Sequence, residues 1–142
     1  MSIELEVGLR IGCALIAGAV IGVERLLSHK VAGMRTYAMV SAGAASFMII
    51  ASMVQNGAGN PSVVLGQIVV GVGFLGAGSI INNKGEVNGL TTASGLWMTA
   101  AAGAAFGLGF FSVGFVIALF SLLILAILYK AEKKITSKYL KD

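Results

Sequence analysis

The chain has 142 residues, of which 57% are hydrophobic and 11% charged, with 20 glycines and a formal net charge of +4. A soluble domain of this length cannot hide so much apolar surface in its own core. Glycine without a period of three, in so apolar a chain, excludes collagen-like and disordered character, and lipid is the solvent that suits most of the sequence.

Five apolar segments follow in chain order. The first runs from about Val7 to Val23 with Arg10 as its only charge, the second from Tyr37 to Val54 and the third from Ser62 to Ile81. An uncharged stretch of forty residues, Leu90 to Tyr129, comes next. As one helix it would reach about 60 Å, twice a hydrocarbon core of about 30 Å. It is therefore two spans, Leu90–Phe106 and Phe111–Tyr129, broken where Gly107 and Gly109 loosen the helix. The apolar runs are continuous and lack the alternation of barrel strands. The expected fold class is all-α: a polytopic membrane bundle of five transmembrane helices, residues 1–129, with a short basic tail, 130–142.

Charge orients this bundle. The loop Glu24–Thr36, the loop Asn82–Gly89 and the tail share one side and carry nine Lys/Arg; Arg10 alone lies on the other. By the positive-inside rule the N-terminus is outside and the tail cytoplasmic. The acidic start, Met1 to Glu6, lacks the basic leader of a cleaved signal peptide, so the first span is expected to stay in the mature protein. Cys13 has no partner for a disulfide and reads as an apolar filler.

Small residues recur at helical spacing: Gly18 and Gly22, then Gly71, Gly73, Gly76 and Gly78, then Gly103 and Gly107. Such faces let helix backbones approach closely in lipid. They are expected to pack the bundle or join copies into a homodimer or larger oligomer, at Gly18/Gly22 or Gly103/Gly107. The third helix is expected to be thin, so that others pack on it or so that it bends. The fifth, rich in Leu, Ile and Phe, is expected to face lipid most. The spacing of Gly71, Gly73 and Gly76 matches a dinucleotide fingerprint but lacks its strand and aqueous setting.

Polar residues gather at one end. Glu24, Arg25, Arg35, Thr36, Asn82, Asn83, Thr91 and Thr92 all fall at the cytoplasmic ends of the spans. Two readings stand: helix capping with interfacial anchoring, or one polar pocket open to the cytoplasm, extended inward by Gln67 and Thr99. Glu24 and Arg35 are the expected ion pair, since a charge at the membrane boundary is cheaper when paired. His29 reads as a solvated loop residue. No metal site, cofactor site, nucleophile–base pair or nucleic-acid-binding face is expected, and no enzymatic activity. With no carboxylate deep in a span, a conventional ion pump is disfavoured.

The motifs Ile21-Gly-Val-Glu-Arg25, Ala32-Gly-Met-Arg-Thr36, Gly71-Val-Gly-Phe-Leu-Gly-Ala-Gly78 and Gly89-Leu-Thr-Thr-Ala93, with Leu96-Trp97, occur in an order and spacing that resembles the MgtC/SapB family of bacterial inner-membrane proteins. The resemblance runs from about Arg10 to Tyr129. It implies an N-terminal type hydrophobic domain of five spans, in the short SapB-like form without the soluble C-terminal domain of members that support growth in low magnesium. The implied function is regulation of ion (magnesium or phosphate) or energy homeostasis through contacts with another membrane protein. The alternative is a small-ion transporter or channel using the polar pocket.

The orientation is testable. In a Cys13→Ala background, Ser2→Cys and Gly57→Cys should react with an impermeant thiol reagent on intact cells, and Ser137→Cys should not. Labelling at position 137 from outside would refute the N-outside arrangement.

Overall fold

A computed structural model describes residues 2–54, 60–83 and 86–139. The predicted loop residues 55–59, Lys84 and Lys141 lie outside the described residues, as does the side chain of Asn83. Helix α1 spans Ile3–Leu27, α2 Met34–Met53, α3 Pro61–Gly78, α4 Leu90–Gly107 and α5 Phe111–Leu123. A π-helical segment, Ile124–Leu128, carries α5 into α6, Tyr129–Tyr139, without a break. The helix thus continues through the boundary drawn at Tyr129. A short antiparallel pair, β1 (Ile81–Asn83) and β2 (Glu86–Asn88), joins α3 to α4, with Asn82 opposite Val87. The sequence places Ile81 in the third span and Asn82–Gly89 in a loop, whereas α3 ends at Gly78.

Local signals account for the ends. Asn60 caps α3 by accepting from the Ser62 amide at 3.0 Å, with Pro61 as the first helical residue, where its missing N–H costs nothing. Gly89 (φ 98°) starts α4, and a Cβ there would collide with the Ser79 carbonyl, so both conformation and space require glycine. Gly109 (φ 82°) makes the turn between α4 and α5, inside the break expected from the sequence. His29 adopts a left-handed conformation (φ 52°) just past the end of α1, where the Lys30 amide bonds the Arg25 carbonyl at 3.0 Å.

Among the described residues, four helical segments are long and apolar enough to cross a membrane: Ile3–Leu27, Met34–Met53, Pro61–Gly78 and Phe111–Ser137. Helix α4 falls short in apolarity, and burial explains why. Eleven of its eighteen residues are buried, mostly alanine and glycine, because it packs against α1, α2, α3 and α5 rather than lipid. A Cβ on Gly103 would strike the Ser41 carbonyl, and one on Gly107 the Ala45 carbonyl. Likewise Gly18 lies against Tyr37 and Ser41, and Gly22 against the backbone of Met34. These faces, expected to pack the bundle or to join copies, pack within one chain. Phe106, fully buried, meets Phe115 edge-on at 5.0 Å and locks α5 onto α4.

Helix α3 differs from its sequence reading. It is a continuous helix, and only Val72 and Gly76 are buried. Gly76 rests on Ala93, but nothing lies within 4 Å of where a Cβ would stand on Gly71, Gly73 or Gly78. Apart from Gly76, these glycines do not thin α3 for its neighbours, and α3 is less covered than α5, contrary to the expectation that the fifth helix is the most lipid-facing.

The contrast yields an expected outcome. Gly103→Leu should cost about 2–3 kcal/mol or more through overpacking, while Gly73→Leu should leave the melting temperature in mild detergent nearly unchanged. Equal losses for the two would contradict this packing.

Candidate functional site

The contacts bring the end of α1, the start of α2, the end of α3, the start of α4 and the π segment to one end of the bundle. Tyr37, at the first turn of α2, is buried and donates its hydroxyl to the Thr92 carbonyl at 3.2 Å. It reaches there because Gly95 leaves room: a Cβ would stand 2.5 Å from the Tyr37 hydroxyl oxygen.

Arg25 organises this end. Its side chain is 1% exposed, rare for a guanidinium. Its Nε pairs with Glu24 Oε2, and Nη2 donates to the Leu125 carbonyl at 3.4 Å. Glu24 Oε1 accepts from the Ser28 hydroxyl at 2.8 Å. The π segment supplies the Leu125 carbonyl; such wide turns re-aim backbone groups and are frequent at functional sites. A cavity of about 220 Å³ opens beside the guanidinium, lined by Arg25, Lys30, Thr91, Ile124, Leu125, Leu128, Tyr129 and Glu132. The Lys30 ammonium lies 5.3 Å above the Tyr129 ring. A second cavity, of about 210 Å³, shares Thr91, Ile124 and Leu125 and runs along the α4–α5 cleft past Ser94, Met98 and Ser121.

Of the eight residues expected in a polar pocket, Arg25 and Thr91 line the cavity, and Glu24 holds Arg25 from outside it. Thr92 is buried and contributes its carbonyl to Tyr37. Arg35 and Thr36 are exposed at the start of α2, and Asn82 is exposed on β1. The ion pair of Glu24 is with Arg25, not Arg35, because consecutive residues at the end of α1 turn their heads together while Arg35 faces outward. Gln67 and Thr99 do not extend the pocket. Gln67 lines an apolar groove of about 490 Å³ between α2 and α3, and Thr99 is buried in the helix interface.

Sequence reasoning missed Lys30, Tyr129 and Glu132, which reach the cavity only through tertiary packing. It also left Arg10 unexplained. At the far end, Arg10 Nη1 donates to the Gly107 carbonyl at 2.9 Å and Nη2 pairs with Glu6. A cation there satisfies a free carbonyl at the C-terminus of α4 and suits the helix dipole. A lone arginine in an apolar span was the signal.

A bundle of apolar helices around one small-residue helix, polar at one end, is a polytopic membrane protein. Residues 11–134 match the MgtC family, and the chain belongs to that family of bacterial membrane proteins. It is 43% identical to "Protein MgtC" of Brucella abortus (strain 2308) over 115 residues, 81% of this chain and 48% of that protein. It is 44% identical to "Protein MgtC" of Salmonella typhimurium over 98 residues, 69% of this chain and 42% of that one. It is also 34% identical to "Putative magnesium transporter YhiD" of Escherichia coli (strain K12) over 137 residues, 92% of this chain and 64% of that one. The chain spans about half the length of the curated MgtC relatives it matches. No solved structure matches. The family resemblance carried by the sequence motifs is thus established.

Pairing within the site predicts coupling. Arg25→Ala should cost about 2 kcal/mol or more by stranding Glu24 and emptying a buried position. Glu24→Gln/Arg25→Gln should cost less than the sum of its singles, whereas Arg35→Ala should stay within about 0.5 kcal/mol of wild type. Thermal unfolding in detergent measures all five variants; additive singles would break the assigned pair.

Proposed function

We propose that this protein regulates ion (magnesium or phosphate) or energy homeostasis in the bacterial membrane by contact with another membrane protein, and that α3 is the contact helix. In this reading five helices cross the bilayer, with the N-terminus outside and the tail cytoplasmic. The magnesium link rests on the name of one relative and on family membership.

The observation that carries the proposal is the uncovered face of α3. Val63, Val70 and Phe74 stand on one side of the helix, and Phe74 is 81% exposed. Two glycine pairs at spacing seven, Gly66/Gly73 and Gly71/Gly78, flank this ridge with open space above each. Lipid does not select for glycine, whereas helix interfaces in membranes do. The remaining close-packed glycines, such as Gly18 and Gly103, are occupied within the chain. A ridge between two glycine grooves suits a partner transmembrane helix. The transporter alternative rests on the cavity beside Arg25, and a flux measurement separates the two.

The double variant Gly71→Leu/Gly73→Leu should accumulate and melt like wild type, because neither glycine packs within the chain, yet fail to restore growth of a deletion strain in low magnesium. Wild-type growth by that variant would refute the contact role. Magnesium or phosphate uptake into liposomes holding the purified chain alone would instead favour transport.

A further inference from the structure

The cavity beside Arg25 has more hydrogen-bond donors than the protein uses. A guanidinium carries five N–H donors and cannot be deprotonated in a protein. Glu24 takes Nε, and the Leu125 carbonyl takes one Nη2 donor at a long 3.4 Å. Arg25, 1% exposed, lines a space of about 220 Å³. A water occupies roughly 30 Å³ in the liquid, so the space holds a polyatomic group with room to spare. Lys30 adds a second cation on the wall and Thr91 a hydroxyl.

We propose that this cavity binds one phosphate group, gripped by the Arg25 guanidinium and closed over by Lys30, whether that group belongs to a phospholipid headgroup or to free inorganic phosphate. A planar guanidinium fork matches two phosphate oxygens, and an ammonium complements a third as a point charge. The permanent charge of Arg25 disfavours a metal cation in the same space. Tyr129 and Lys30 on the rim are residue types that sit at headgroup level in membrane proteins, which suits an ester-linked phosphate arriving from the bilayer. Glu132 also lines the cavity and opposes an anion. It is exposed, one turn beyond Tyr129, so its carboxylate is partly screened by solvent and lowers affinity without closing the site. This inference concerns residues outside α3 and stands whether or not α3 meets a partner.

The experiment uses the full chain purified in mild detergent. In one arm, native mass spectrometry counts retained phosphatidylglycerol; in the other, calorimetry titrates delipidated protein with inorganic phosphate at constant ionic strength set with chloride. One-to-one binding is expected in at least one arm, and the arm that responds identifies the source. Lys30→Ala should weaken that binding about tenfold by removing a charged contact. Glu132→Gln should strengthen it about threefold by removing the opposing charge. Both positions are exposed, so melting temperatures should hold, and the opposite signs separate recognition from a general loss of structure. Absence of stoichiometric binding in both arms, or an affinity indifferent to both substitutions, would overturn the proposal.

Discussion

Backbone touches backbone along α4, and most of the architecture follows from that. Where Gly103 meets Ser41 and Gly107 meets Ala45, no side chain separates the helices. In lipid, where apolar side chains gain nothing by meeting each other, such approach maximises dispersion contact and is the main source of helix association. The same close approach recurs between α1 and α2, where Gly18 and Gly22 must also lack side chains. The large apolar residues, having no room inside, stand outside: Leu15, Ile16, Phe47 and Leu119 are all exposed. The usual arrangement of a soluble core is inverted, with small residues within and large ones facing the solvent, which here is hydrocarbon.

The same tight packing sets the chemistry of the polar end. The guanidinium of Arg25 is nearly enclosed, and its partners are the neighbouring carboxylate and a carbonyl from a turn wider than an α-helix. Enclosure strengthens each of these interactions and raises the cost of leaving any donor idle. At the far end Arg10 does comparable work on the Gly107 carbonyl, but with its pair Glu6 partly exposed. One arginine secures the turn between α4 and α5, and the other borders a cavity.

Much of this fold was legible because hydrocarbon imposes simple rules. The break at Gly107–Gly109 and the extent of α4 follow from helix rise and from where apolar residues stop, whereas α1 runs four residues past each expected end. The β1–β2 pair was not legible, since two three-residue strands leave no periodic signal. Partner choice was harder still. Glu24 had two arginines to choose from, and spacing along the chain does not say that Arg35 turns outward. The glycines of α3 and α4 look alike as letters; which set is packed depends on where each helix sits, and that is decided by the other four helices. The cavity joins residues more than a hundred positions apart, Arg25 and Glu132, through a π turn that no residue pattern announces.

The central position of α4 also bears on how the chain enters the bilayer. A helix rich in alanine, glycine and threonine gains less from hydrocarbon than its Leu- and Ile-rich neighbours, so alone it is the segment most easily left in water. Helix α5 follows after a turn of three residues and is strongly apolar. The two can therefore enter as a hairpin, with α5 supplying the driving force and Phe106 against Phe115 holding the pair together. The segment that anchors the finished bundle is the one that most depends on its successor during biogenesis.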